Sequence, residues 1–137
     1  MDQNTLVEVD ADVLNRIATA FRSRGIPVSG VYLTKLTSEN GYEDRIIRLV
    51  SERDLPNLKR KMIYELVTLR RENALPKVDS GIRFDIVPSN DPEASRVIEY
   101  TRELGGPPVL IRDVMWKGLF IEYALVASVP QTDVALA

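Results

Sequence analysis

The sequence predicts an α+β fold: a two-layer sandwich in which a mainly antiparallel five-stranded sheet carries three helices on one face, in the order α-β-β-α-β-α-β-β. Three observations carry this reading. Two pairs of extended apolar runs are joined by short loops containing Gly41 and Gly118, the signature of hairpins. Three other segments repeat apolar residues at helical spacing and are bounded by cap residues. A helix stripe and a strand face must each be covered, and packing one on the other does so.

The first helix is marked at both ends. Asp10 is placed to cap it, Val9 and Leu14 to form a hydrophobic staple, and Leu14, Ile17, Ala18 and Phe21 recur along one face. Gly25 suits the left-handed residue past its end, Ile26 then folds back over Phe21, and Pro27 forbids continuation. Strands over 28–36 and 45–51 follow, joined by a polar loop containing Asn40-Gly41. With those two residues at the turn centre, Tyr32 faces Leu49, Thr34 faces Ile47 and Leu33 faces Arg48. One face then holds Tyr32, Leu36, Ile47 and Leu49. The other holds Val31, Leu33, Lys35, Ile46, Arg48 and Val50, too apolar for an ordinary wet surface.

Ser51 or Asp54 can start a long helix running to about Asn73, with Leu55, Leu58, Met62, Leu66 and Leu69 on one side. A third strand over 82–87 alternates Ile82, Phe84 and Ile86 against Arg83, Asp85 and Val87. The third helix opens at Asn90 or Asp91 with Pro92 first, buries Ala94, Val97, Ile98, Thr101 and Leu104, and stops at Gly105-Gly106-Pro107-Pro108. The last hairpin joins 109–115 to 119–128 through a three-residue loop, Trp116-Lys117-Gly118, which sets Arg112 opposite Glu122. Val109, Ile111, Ile121, Tyr123 and Leu125 then share one face, and Leu110, Arg112, Val114, Phe120, Glu122 and Ala124 the other. A short strand over 6–9 can precede these elements; residues 1–130 read as one domain and 131–137 as a frayed tail without periodic signal. Residues 16–27 align with 96–107 without gaps, matching Arg16 with Arg96, Gly25 with Gly105 and Pro27 with Pro107. Helix ends converge on Gly and Pro for physical reasons, so the match reads as shared local architecture rather than duplication.

Composition narrows the chemistry. The 137 residues include 18 Lys+Arg, 20 Asp+Glu, no His and no Cys, for a formal net charge of −2. Zinc fingers, His-dependent nucleophiles and thiol redox switches are therefore excluded, and the charge gives no general attraction to nucleic acid or an anionic membrane. The polar, acidic start and the shortness of every apolar run argue against a signal peptide or a membrane span, and a cytoplasmic protein is expected. No cofactor and no metal are expected. Glu39, Glu43 and Asp44 lack the ordered spacing of a calcium loop. Ser80 near Lys77 reads as part of a turn rather than a nucleophile pair. Lys59, Arg60, Lys61, Arg70 and Arg71 on the second helix invite a phosphate-backbone reading, but three consecutive residues spread around a helix, so nucleic acid is not the expected partner.

The least ordinary feature is the sheet face turned away from the predicted helices. It is expected to mix Arg48, Arg83, Asp85, Arg112 and Glu122 with aliphatic residues and Phe120, with Trp116 at the hairpin tip. Such a mixture resembles an interface composition, in which Arg is enriched. The leading expectation is a non-enzymatic binding or adaptor module, homodimeric, using that face for a protein partner. The alternative is a site for a small anionic ligand, or a metal-independent enzyme, with Arg48, Arg83 and Arg112 holding the anion and Asp85 or Glu122 moving a proton.

Overall fold

The computed structural model describes residues 6–52 and 56–131. Helix α1 (Ala11–Ser23) leads into β1 (Val28–Thr37) and β2 (Glu43–Ser51). Then come α2 (Leu58–Arg71), β3 (Ile82–Pro88), α3 (Pro92–Glu103), β4 (Val109–Trp116) and β5 (Leu119–Ser128). The α+β class, the five strands and the element order agree with the sequence reading. The sheet order is β3-β2-β1-β5-β4. β3 runs parallel to β2, since α2 carries the chain back before it begins; the other three ladders are antiparallel.

Helix ends obey local chemistry. Asp10 Oδ1 accepts the Val13 N–H at 2.8 Å and Asp91 Oδ2 accepts the Ala94 N–H at 3.0 Å, with Pro92 opening α3. At the C-terminus of α1, the Gly25 N–H donates to Arg22 O and the Ile26 N–H to Phe21 O. Gly105 and Gly106 repeat this pattern after α3, and Asn73 and Ala74 repeat it after α2, where no sequence echo exists. The resemblance of 16–27 to 96–107 is thus a common way of ending a helix. α2 is shorter than expected: Asn57 precedes it, Ser51 closes β2, and the other expected start, Asp54, lies outside the described residues together with Leu55. Leu104, expected in the core, is exposed. Residues 6–9 form no strand, although the Val7 N–H donates to Lys77 O at 2.8 Å. Of the expected frayed tail, all but Gln131 lies outside the described residues.

Successive strand residues point to opposite faces, and here both faces are buried. Val31, Leu33, Ile47, Leu49 and Ile86 join α1 and α2 in one apolar cluster around Leu14, Ile17 and Phe21. Tyr32, Val50, Val87, Ile111 and Val126 join Ala94, Val97 and Ile98 of α3 in another. The sheet with α1 and α2 makes the two layers. α3 lies across the other face, over β5 and β4, which corrects the expectation that all three helices share one side. The cause is legible in β1: residues 30–34 are buried without alternation, and such a strand needs cover on both sides.

Both hairpin registers differ by one residue from the sequence reading. In the first loop the Gly41 N–H donates to Ser38 O and only Gly41 is left-handed, so Ser38 pairs with Tyr42 and the turn spans three residues. Val31 therefore faces Leu49, Tyr32 faces Arg48 and Leu33 faces Ile47. In the second hairpin Lys117 and Gly118 are both left-handed, as a two-residue type I′ turn requires, and Trp116 pairs with Leu119. Arg112 then faces Tyr123 rather than Glu122. Asp113, at φ 50, re-aims the strand, so that Ile111 and Val114 both pack with α3, as do Ala124 and Ile121. The faces expected for this hairpin regroup accordingly.

Candidate functional site

Arg48 sits on the α3 side of β2, between Tyr32 on β1 and Asp85 on β3. Its Nη1 donates to Asp85 Oδ2 at 3.1 Å, and its Nε lies 2.7 Å from Glu93 Oε1 in the first turn of α3. The second contact is a close ion pair without an aligned hydrogen bond, since the buried Nε lacks one. Glu93 Oε1 also accepts the Tyr32 hydroxyl at 2.7 Å, and Lys59 Nζ lies 3.5 Å from Asp85 Oδ1. The Arg48 side chain is only 16% exposed, so two carboxylates neutralise its charge out of full contact with water. Burial, followed by the charge of Glu93, pushes the Tyr32 phenol far above its ordinary range and keeps it a donor.

Arg83 projects from β3 on the same side and donates to both oxygens of Asp44, at 3.2 and 2.7 Å. That hydrogen bonding and the Asp44 charge raise the guanidinium above its already high value. Arg112 is elsewhere. Its guanidinium lies 5.7 Å from the ring centre of Tyr123, which packs against the α1/α2 cluster on the opposite face. Lys35 Nζ stands 4.3 Å from the same ring. Glu122 Oε2 accepts the Thr37 hydroxyl at 2.9 Å. Trp116 folds back to pack against Tyr100 of α3, with ring centres 4.9 Å apart and the planes tilted by 54°. The structure thus brings Arg48, Arg83 and Asp85 to the β2–β3 end of the sheet and leaves Arg112, Phe120, Glu122 and Trp116 in the β4–β5 hairpin, so that Arg112 stands apart from the other two arginines.

The basic residues of α2 also separate. Lys59 turns to Asp85, and Arg70 stands over Phe84 at 5.3 Å. Arg60 and Lys61 line a groove of about 420 Å³ with Arg24 and Tyr64. Among the described residues no group of three or more His, Cys, Asp or Glu side chains could hold a metal ion. No helix among them is long and apolar enough to cross a membrane.

Sequence reasoning expected Phe120 and Leu110 on the open sheet face but missed Met115 beside them and the exposed apolar side chains of α2. Phe120 is 51% exposed, its cross-strand partner Met115 66% and Leu110 on the same edge strand 47%. Helix α2 presents a second set, Ile63 at 56% and Val67 at 49%. The first set was readable from Lys117-Gly118 as a two-residue turn, which makes Met115 the partner of Phe120. The second lay in an apolar i, i+4 pair standing off the buried stripe of Met62 and Leu69.

No protein-family model, no curated protein and no solved structure matches this chain.

Proposed function

We propose that the protein is a non-enzymatic binding module of the cytoplasm, working as a homodimer, whose β4–β5 hairpin docks an apolar, acidic segment of a partner protein. The observation that carries this reading is the exposure of Met115 and Phe120, paired across the two strands, together with Leu110. Large apolar side chains gathered on one surface favour burial against a partner. Arg112 and Lys35, both held over Tyr123, lend that surface positive charge, which selects carboxylates on the incoming chain. The small-anion alternative loses support, because Arg48 and Arg83 are engaged by Asp85, Glu93 and Asp44.

A titration of isotope-labelled protein followed by amide NMR tests the reading, using one peptide that alternates leucine with glutamate and another that alternates leucine with lysine. The glutamate peptide is expected to shift residues of β4 and β5 around Arg112 and Phe120, and Phe120→Asp to abolish the response. Equal shifts with both peptides, or none with either, contradict it.

A further inference from the structure

Among the described residues β3 is an edge strand, paired with β2 on one side only. Its sequence Ile82-Arg83-Phe84-Asp85-Ile86 has a symmetry: read from either end it is apolar, charged, aromatic, charged, apolar, with the sign of the charge exchanged. Laid antiparallel against a second copy about a twofold axis through Phe84, Ile82 meets Ile86 of the second copy and Arg83 meets its Asp85. Each opposite-charge cross-strand pair favours that register, and a shift by one residue sets unlike partners opposite each other.

The backbone points the same way. The Ile86 N–H donates to the Asp85 carboxylate at 2.9 Å and the Ile82 N–H to Asp79 O at 3.0 Å, so both are turned away from the β2 ladder and exchange these acceptors when a second copy pairs there. By strand alternation the N–H and C=O of Phe84 also face the open edge, which makes Phe84 a hydrogen-bonded pair with itself across the axis. β4, the other edge strand, is interrupted by the left-handed Asp113; β3 has no such residue.

Helix α2 supplies the second half of the surface. Arg70 reaches Phe84 and Lys59 reaches Asp85, so the middle of α2 lies beside the middle of β3. Ile63 and Val67, one turn apart, fall between those two contacts and are exposed. An axis through Phe84 brings two copies of α2 side by side and antiparallel, with Ile63 of one against Val67 of the other. An isologous contact of this kind closes as a dimer and leaves no β3 edge free.

We infer that two copies of this chain pair through β3 and α2, extending the sheet to ten strands, with Arg83 of each copy bound to Asp85 of the other. The inference rests on the homodimer reading above and locates its interface, at the opposite end of the sheet from the β4–β5 hairpin. The contact between copies competes with intramolecular ones: Asp85 already holds Arg48 and Lys59, and Arg83 already holds Asp44, so the exposed Arg83 must exchange or share Asp44 to reach Asp85 of the second copy.

The chain has no Cys, so Phe84→Cys introduces a lone thiol. Hydrogen-bonded antiparallel partners have Cα atoms about 5.5 Å apart, within the range a disulfide spans. Mild oxidation of Phe84→Cys is expected to give a covalent dimer. Ile63→Asp, an exposed change that does not disturb the core, is expected to weaken the dimer at least about tenfold in sedimentation equilibrium, whereas Phe120→Asp leaves its mass unchanged. A dimeric wild type with no cross-link and an unaffected Ile63→Asp overturns this interface and leaves the homodimer reading standing. A monomeric wild type overturns both.

Discussion

The hydroxyl of Tyr32 and the carboxylate of Glu93 meet at 2.7 Å, tying the centre of β1 to the first turn of α3. Arg48 closes the contact from β2, at 2.7 Å from the same carboxylate oxygen. A strand and a helix far apart in sequence are thus held by one buried phenol and a shared ion pair, with the Glu93 charge also favoured by its place at a helix N-terminus.

Tyr32→Phe is expected to cost about 1 kcal/mol in urea unfolding at neutral pH, the net worth of a hydrogen bond whose acceptor keeps another partner. The alkaline behaviour follows from the raised phenol. The native state holds the Tyr32 proton while the unfolded chain releases it near pH 10, so the stability linked to this group is complete below about pH 10 and falls above it. Unfolding measured at about pH 8 and about pH 11 is expected to show a smaller loss in Tyr32→Phe than in the wild type; an equal loss contradicts the assignment.

At acid pH the sign reverses. The hydrogen bond from Arg45, then that from the Gly81 N–H, hold Asp79 below its ordinary value, and Lys117 does the same for Glu99. Their contribution is present above the unfolded carboxylate range, near pH 4, and is lost as pH falls through it toward the depressed native values. Asp79→Asn is expected to flatten the decline in stability between about pH 5 and about pH 3. A slope identical to the wild type shows that the Arg45 contact has no weight.

Gly30 answers a packing demand. A Cβ placed there lies 2.9 Å from Ser128 O and 3.1 Å from Val129 Cα, both backbone atoms that cannot step aside. Gly30→Ala is expected to destabilise by about 1–3 kcal/mol by overpacking at the β1–β5 ladder. An unchanged urea midpoint means that the strands separate there at no cost.

The boundaries of α1 and α3 were legible because a cap is decided within five or six residues: Asp10, Gly25, Pro92 and Gly105 each act where the sequence places them, whereas the start of α2, at Asn57 without a side-chain cap, was not. The hairpin registers were not, because Asn40-Gly41 and Lys117-Gly118 each admit more than one loop length, and one residue of difference exchanges every partner. The site suffered in proportion. Arg48 was recognised as out of place on a wet surface, but its partner Glu93 lies in a helix that sequence reasoning put on the wrong side of the sheet. The symmetry of residues 82–86 was in plain view, yet it acquires meaning only once β3 is known to be an edge.

Self-association is tested most directly by sedimentation equilibrium of the unmodified protein from about 1 to about 100 µM. It predicts a species of twice the chain mass that dissociates on dilution. A single species of one chain mass across that range contradicts it.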